Sequence, residues 1–227
     1  MPYTPRSRRA APARGFSLVE VLTVLTVLGM LAAILVPAIG IAHTKAMKAK
    51  TASVFSQIES AMDLYYLDYG RYPLFPGMAD HLAANSDGDV SFYVNGSDSK
   101  TPNFRKSLSY DASFTGTVGN NPKGKVYLDV DDSMLSTDDL LSPALVDGFG
   151  NKQIVVVVNT TGKNQIAKGS FNLPVQQPDG GGKPLIPQVV RDLPQHIAIY
   201  SLYQNLGPDD PAVSNFNTNW SYQDYVK

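Results

Sequence analysis

A single carboxylate stands near the start of a long apolar stretch, RGFSLVEVLTVLTVLGMLAAILVPAIG, which runs from Arg14 to Gly40. The carboxylate belongs to Glu20, and 22 residues without a charge follow it, Val21 to Ala42. As a helix these residues would extend about 33 Å, close to the roughly 30 Å of a bilayer core. A carboxylate at the centre of a bilayer costs about 2.5–3.5 kcal/mol on insertion scales, and less near an interface.

Two interpretations of Glu20 follow from this cost. Either the side chain lies at the lipid headgroups and is tolerated there, or it has a cationic partner. If the chain is cut after Gly15, the new α-amine of Phe16 lies four residues away, and the amine of a neighbouring chain could neutralise the carboxylate. A buried pair of this kind specifies register more than it stabilises. Pro37, near the far end of the stretch, would kink the helix or let it stretch.

No residues of this sequence have the spacing of a known catalytic motif. The chain has no cysteine, which excludes disulfides, thiolate catalysis and cysteine-bound metals. It contains no G-x-S-x-G, P-loop, G-x-G-x-x-G or H-E-x-x-H sequence, so we predict that it is not an enzyme. The three histidines have no motif spacing and are interpreted as structural residues; they are His43, His81 and His196. Paired aspartates are interpreted as solvated turns or caps; they are Asp131 and Asp132, Asp138 and Asp139, and Asp209 and Asp210.

Charge is distributed unevenly along the 227 residues. Residues 1–15 contain four arginines and no acid, and subtracting these from the 19 basic residues leaves 15 basic against 20 acidic residues. The remainder has no basic cluster of the kind that nucleic acids require, so we predict no nucleic-acid partner. The basic start resembles that of a secretory signal. However, the apolar run exceeds the usual length of about 7–15 residues, and no A-x-A-like site ends it.

The stretch RGFSLVEVLTVLTVLGMLAAILVP resembles the class III signal of type IV pilins and type II secretion pseudopilins. The resemblance implies that a prepilin peptidase cuts between Gly15 and Phe16, and that Phe16 becomes N-terminal and N-methylated. It also makes Glu20 the fifth residue of the mature chain, with a role in assembly. Gly29 and Pro37 fall where the family has its helix glycine and proline.

Beyond the apolar run, the periodicity becomes that of an amphipathic helix, which we expect to end at Gly70. Residues 71–124 are rich in Asn, Asp, Ser and Gly and are expected to be mostly loops. The predicted elements after the long helix are a short helix at Met78–Ala84 and strands at Val90–Val94, Lys125–Val130, Gln153–Val158 and His196–Leu202. One long helix followed by spaced strands predicts an α+β fold, with an antiparallel sheet packed on the helix.

We therefore divide the chain into a basic leader, residues 1–15, a transmembrane or filament-core helix, 16–42, an amphipathic helix, 43–70, and an α+β head, 71–227. Four arginines precede the span and three lysines follow it, which favours a cytoplasmic N-terminus. With this orientation, the resemblance implies a head in the periplasm and a chain that crosses the bacterial inner membrane once.

The resemblance continues in the head. LVDGFGNKQIVVV resembles the Asp-Pro-Trp-Gly-Asn segment of the major type II pseudopilin, with Gly148 and Phe149 in place of Pro and Trp. YSLYQNLGPDD resembles the family's C-terminal loop, which binds calcium through acids and backbone oxygens. The resemblance makes Asp209, Asp210 and Asn217 candidate calcium ligands, although the family's second acidic position is missing. The alternative is a polar turn after a strand.

The resemblance implies a structural subunit of a type II secretion pseudopilus, which assembles into a helical filament and promotes protein export. The implied partners are copies of this chain, other pseudopilins, the prepilin peptidase, an inner-membrane assembly platform and the bilayer. A type IV pilin for adhesion, motility or DNA uptake is the alternative within the family. A membrane-anchored enzyme or binding domain whose anchor merely resembles a prepilin is the alternative outside it.

Overall fold

The computed structural model describes residues 15–73, 89–95, 108, 121–136, 144–160, 162–175, 185–202 and 216–220. These residues form one long helix, four strands and two short 3₁₀ helices. In chain order the elements are α1 Leu18–Tyr69, β1 Val90–Tyr93, a 3₁₀ helix at Asp132–Met134, β2 Val155–Val158, a second 3₁₀ helix at Lys168–Ser170, β3 Ile197–Leu202 and β4 Phe216–Thr218.

Helix α1 is continuous over 52 residues and includes Pro37. Proline lacks a backbone N–H, so the helix forgoes one hydrogen bond there, and the predicted kink stays a prediction. The helix ends where the sequence predicts. Gly70 adopts a left-handed conformation with φ of 67°, and its N–H donates to the Tyr66 carbonyl at 2.7 Å. A residue with a β-carbon adopts this conformation reluctantly, which is why glycine ends so many helices.

Residue contacts divide the chain into two units, Met1–Thr44 and Lys45–Lys227. In the first unit the large apolar side chains between Phe16 and Ile41 are exposed. By length and composition, α1 is the one helix among the described residues that could cross a membrane. The second unit is a head with its own hydrophobic core, built on the second half of α1 and the sheet.

The four strands form one antiparallel sheet in the order β1-β2-β3-β4, so each strand pairs with its neighbour in the chain. Val156 lies opposite Ile199, and Val155 lies opposite Tyr200. Val156 and Ile199 belong to the core that includes α1, whereas Val155 and Tyr200 belong to a second core on the other face. The second core is closed by Ile166, Phe171, Val175, Leu193 and Trp220. Strands β2 and β3 are therefore buried on both faces, which explains their continuous apolar sequences.

The predicted α+β class, a long helix with an antiparallel sheet, is confirmed. Three predicted strands correspond to β1, β2 and β3, while β4, only three residues long, was not predicted. The predicted strand Lys125–Val130 is wrong, because the N–H groups of Tyr127 and Leu128 both donate to the Leu108 carbonyl instead of to a strand. The predicted helix Met78–Ala84 lies outside the described residues.

Asp68 holds the mispredicted segment against the last turns of α1. Its carboxylate accepts hydrogen bonds from Lys125 Nζ and Tyr127 Oη at 2.7 Å each, and from Lys123 Nζ at 3.2 Å. Hydrogen bonds from Lys125 and Tyr127, with a further contribution from Lys123, hold the pKa of Asp68 well below its ordinary value of 3.8. The alternating apolar residues of this segment thus pack beside the helix, not in the sheet.

Acid should weaken the attachment that Asp68 provides. Because its folded-state pKa is lowered, Asp68 contributes its full stability above the ordinary pKa of 3.8 and loses it as the pH falls toward the folded-state value. We expect Asp68→Asn to flatten the dependence of the melting temperature on pH below about pH 4. Melting curves of the parent and variant between pH 7 and pH 2 measure this.

Asp129→Asn is the matched control for that experiment, because the Asp129 side chain is exposed and makes no hydrogen bond with any described residue. It should leave the acid dependence of the melting temperature unchanged. If Asp68→Asn and the parent lose stability in parallel as the pH falls, the attachment through Asp68 contributes nothing measurable.

Gly148 lies in a turn shortly before β2, and this turn contacts α1. The Gly148 N–H donates to Thr51 Oγ1 at 2.9 Å, and Thr51 Oγ1 donates to the Met47 carbonyl at 3.0 Å. A β-carbon on residue 148 would lie 2.0 Å from the Met47 carbonyl oxygen. Glycine is therefore required where the pseudopilin pattern has proline.

Asp147 holds the same turn from inside the head. Its Oδ1 accepts from the N–H groups of Phe149 and Asn151 at 2.8 and 2.9 Å. Its Oδ2 accepts from Asn151 Nδ2 at 2.9 Å and from Ser201 Oγ at 2.6 Å. Four donors stabilise this buried carboxylate, and Ser201 is part of β3, so one side chain joins the turn to the sheet.

Gly148→Ala should destabilise the head by about 1–3 kcal/mol, the usual range for forcing extra atoms into a packed site. Urea unfolding followed by circular dichroism measures the change. The matched control is Gly40→Ala, because no atom lies within 4 Å of a β-carbon at residue 40. Equal unfolding midpoints for the two variants would contradict the close approach of the turn to α1.

Candidate functional site

The candidate processing residues lie immediately before α1. Gly15, Phe16 and Ser17 precede the helix, and no atom lies within 4 Å of a β-carbon built on Gly15. The Phe16 side chain is 83 % exposed. An exposed backbone outside regular structure is the kind of segment that proteases cut. Among the described residues, nothing obstructs the bond between Gly15 and Phe16.

Glu20 has a hydrogen-bond partner in its own chain, which the sequence analysis missed. The Ser17 N–H donates to Glu20 Oε2 at 2.9 Å, and the Val21 N–H donates to the Ser17 carbonyl at 3.2 Å. Ser17 is therefore the N-cap, and Glu20, the third helical residue, reaches back to it as in a capping box. The contact satisfies one of the four free N–H groups at the helix start and places negative charge at the positive end of the helix dipole.

The signal for this contact was present in the sequence as S-x-x-E, residues 17–20. Reasoning from charge considered only the lipid headgroups or a cationic partner for Glu20, whereas the structure gives it a neutral donor, the Ser17 N–H. Oε2 accepts this bond, and Oε1 accepts none from any described residue. Glu20 can therefore cap its own helix and still present an oxygen to another chain.

Hydroxyl groups in the apolar half of α1 are satisfied within the helix. Thr23 Oγ1 donates to the Glu20 carbonyl at 2.9 Å, and Thr26 Oγ1 donates to the Thr23 carbonyl at 2.8 Å. Such bonds to the preceding turn hide threonine hydroxyls from an apolar environment. Within residues 15–42, Glu20 is the only ionisable side chain, and the side chains around it are apolar.

Of the three predicted calcium ligands, only Asn217 is among the described residues; Asp209 and Asp210 lie outside them. Asn217 Nδ2 donates to Ser201 Oγ and to the Leu202 carbonyl, both at 3.4 Å, which leaves its carbonyl oxygen to bind a cation. Among the described residues, no three histidine or acidic side chains lie close enough together to hold a metal ion.

A calcium site at this loop stays a prediction that depends on Asp209 and Asp210. Calcium needs six to eight oxygen ligands, and Asn217 supplies one without charge. Removing calcium with EGTA should then lower the melting temperature of the chain, and the double variant Asp209→Asn with Asp210→Asn should abolish that shift. A melting temperature that does not change with the chelator would contradict a calcium site in this loop.

Comparison with known proteins matches the N-terminal region. Residues 11–36 match the family model for the prokaryotic N-terminal methylation motif. The chain is 43% identical over 60 residues to type II secretion system core protein G of Pectobacterium carotovorum, covering 26% of this chain and 38% of that protein. The proteins of the same name from Klebsiella michiganensis and Escherichia coli are each 40% identical, over 65 and 60 residues, covering 29% and 26% of this chain and 46% and 41% of those proteins.

The chain thus spans about two fifths of the length of the curated relatives it matches. Over this N-terminal part the resemblance to prepilins, and to the major type II pseudopilin in particular, is confirmed. No solved structure matches the chain.

Proposed function

We propose that this chain is a structural subunit of a type II secretion pseudopilus. A prepilin peptidase cuts it after Gly15, Phe16 is N-methylated, and the mature chain assembles with other copies and other pseudopilins into a helical filament that promotes protein export. The role is mechanical, and the chain catalyses no reaction.

The apolar half of α1 is the observation that carries this proposal. Its large side chains are exposed from Leu18 to Ile41, and the methylation motif overlaps them at residues 11–36. Such a surface is stable in a bilayer, and it is equally stable when buried among copies of the same helix. A subunit that moves from the membrane into a filament needs both properties.

The cut after Gly15 supplies the partner for Glu20. It removes the basic leader and leaves a free amine on Phe16, whose charge could pair with Glu20 of a neighbouring subunit. Ser17 stays in the mature chain, so its N–H can still donate to Glu20 after the cut. The carboxylate is then held in one position at the helix start, where a neighbouring amine would meet it.

The names of the relatives favour secretion over a type IV pilus. We accordingly place the anchor in the bacterial inner membrane as a single pass and the α+β head in the periplasm. Before assembly the bilayer covers the anchor, and the prepilin peptidase and an inner-membrane assembly platform are the further partners.

Two substitutions of Glu20 separate its charge from its capping role. Glu20→Gln keeps an oxygen that can accept from Ser17 but removes the charge, whereas Glu20→Ala removes both. We expect both variants to be inserted in the membrane and cut after Gly15, and neither to form filaments. Filaments sheared from cells that express each variant, normalised to membrane-bound subunit, measure assembly.

Leu22→Ala, a truncation of an exposed side chain on the same helix, provides a comparison in which the charge remains. If Glu20→Gln assembles like the parent while Glu20→Ala does not, the cap and not the charge is what assembly requires. Normal filaments from both variants would contradict the pairing with the Phe16 amine.

A further inference from the structure

The head has a cleft of about 710 Å³ that the proposed filament role does not use. It opens beside the end of α1, between the residues around Gly70, those that follow β2 (Asn159, Thr160, Gly162 and Asn164) and His196. Clefts that bind small molecules have volumes of roughly 300–1,000 Å³. The opening is therefore large enough for a ligand of a few rings.

The walls of this cleft are held by bonds that need no ligand. The left-handed conformation of Gly70 turns the chain back, so that the rings of Tyr66 and Tyr72 lie 4.8 Å apart at 35°. On the opposite wall, Asn159 Oδ1 accepts from the Gly162 N–H at 3.1 Å, and the Asn159 N–H donates to the His196 carbonyl at 2.9 Å. The cleft is thus preformed, which lowers the entropic cost of binding.

Five polar side chains line this cleft and have no side-chain hydrogen bond to another part of the chain that the structure describes. They are Asp63, Tyr66, Tyr72, Asn164 and His196. Burial raises the pKa of Asp63, and nearby His196 opposes that rise. Asp63, Tyr66, Asn164 and His196 are exposed to the solvent that fills the cleft, so they can exchange hydrogen bonds with water for hydrogen bonds with a ligand.

The charges of the lining indicate what kind of ligand fits. Asp63 and Arg71 carry opposite charges, so the lining has no excess of acidic over basic residues, or the reverse, with which to attract phosphates or multivalent cations. A carboxylate, an imidazole, an amide and two phenols can each accept or donate to a hydroxyl group. The tyrosine rings offer apolar faces beside these groups.

We propose that this cleft binds a neutral saccharide. The apolar face of a sugar ring lies against Tyr66 and Tyr72, and its hydroxyl groups bond to Asp63, His196 and Asn164. Hydroxyl groups act as donor and acceptor at once, so a single ring can satisfy several of these side chains. The proposal does not depend on filament assembly, because every residue involved belongs to the head.

Ligand-observed saturation-transfer NMR tests this with the full chain in a detergent that has no sugar headgroup. The probes are the trisaccharide of N-acetylglucosamine, maltotriose and inorganic phosphate. We expect at least one saccharide to bind with a dissociation constant on the order of 1 mM, and phosphate not to bind. Tyr66→Ala should weaken saccharide binding at least about tenfold, and Asp63→Asn at least about threefold.

Leu67→Ala is the matched control, because Leu67 follows Tyr66 on the helix, is 80 % exposed and does not line the cleft. It should bind saccharide like the parent. Circular dichroism melts establish that each variant is folded, which is expected because Tyr66 is itself 46 % exposed. The proposal is overturned if neither saccharide shows transfer, if folded Tyr66→Ala and Asp63→Asn bind as well as the parent, or if phosphate binds more tightly than both sugars.

Discussion

One helix has to be stable in two environments, and the rest of the structure depends on this constraint. From Thr51 to Tyr65, α1 buries one face in the head, whereas from Leu18 to Ile41 its apolar side chains are exposed. Exposure of that apolar surface to water is unfavourable, so a bilayer or other protein helices must cover it. Glu20 is the exception in this surface, and its bond to the Ser17 N–H reduces the cost of placing a carboxylate there.

The head is attached to α1 at both ends of the buried half. Near its start, Gly148 contacts Thr51, and the Asp147 carboxylate extends that contact to Ser201 in β3. Near its end, Asp68 holds Lys125 and Tyr127. The head is thus joined to α1 by hydrogen bonds at two places as well as through the core, and the attachment through Asp147 extends to the sheet.

The sequence predicted those helices and strands whose hydrophobic pattern reflects a single type of secondary structure. The length of α1, its end at Gly70 and strands β2 and β3 follow from periodicity, a glycine and unbroken apolar runs. The strand at Lys125–Val130 was mispredicted because its alternation reflects packing beside α1 and side-chain bonds to Asp68. The cleft could not be foreseen either, since His196 is far in sequence from Asp63 and Tyr66 and shares no motif with them. The capping contact of Glu20 was readable as S-x-x-E.

The central claim is that the mature chain begins at Phe16, and the mass of that chain tests it most directly. Intact-mass and N-terminal analysis should be carried out on protein from the membranes of a bacterium that has a prepilin peptidase. We predict a chain that begins at Phe16, with one methyl group on its amine. A chain that still begins at Met1, or one cut after the apolar run, would contradict the account.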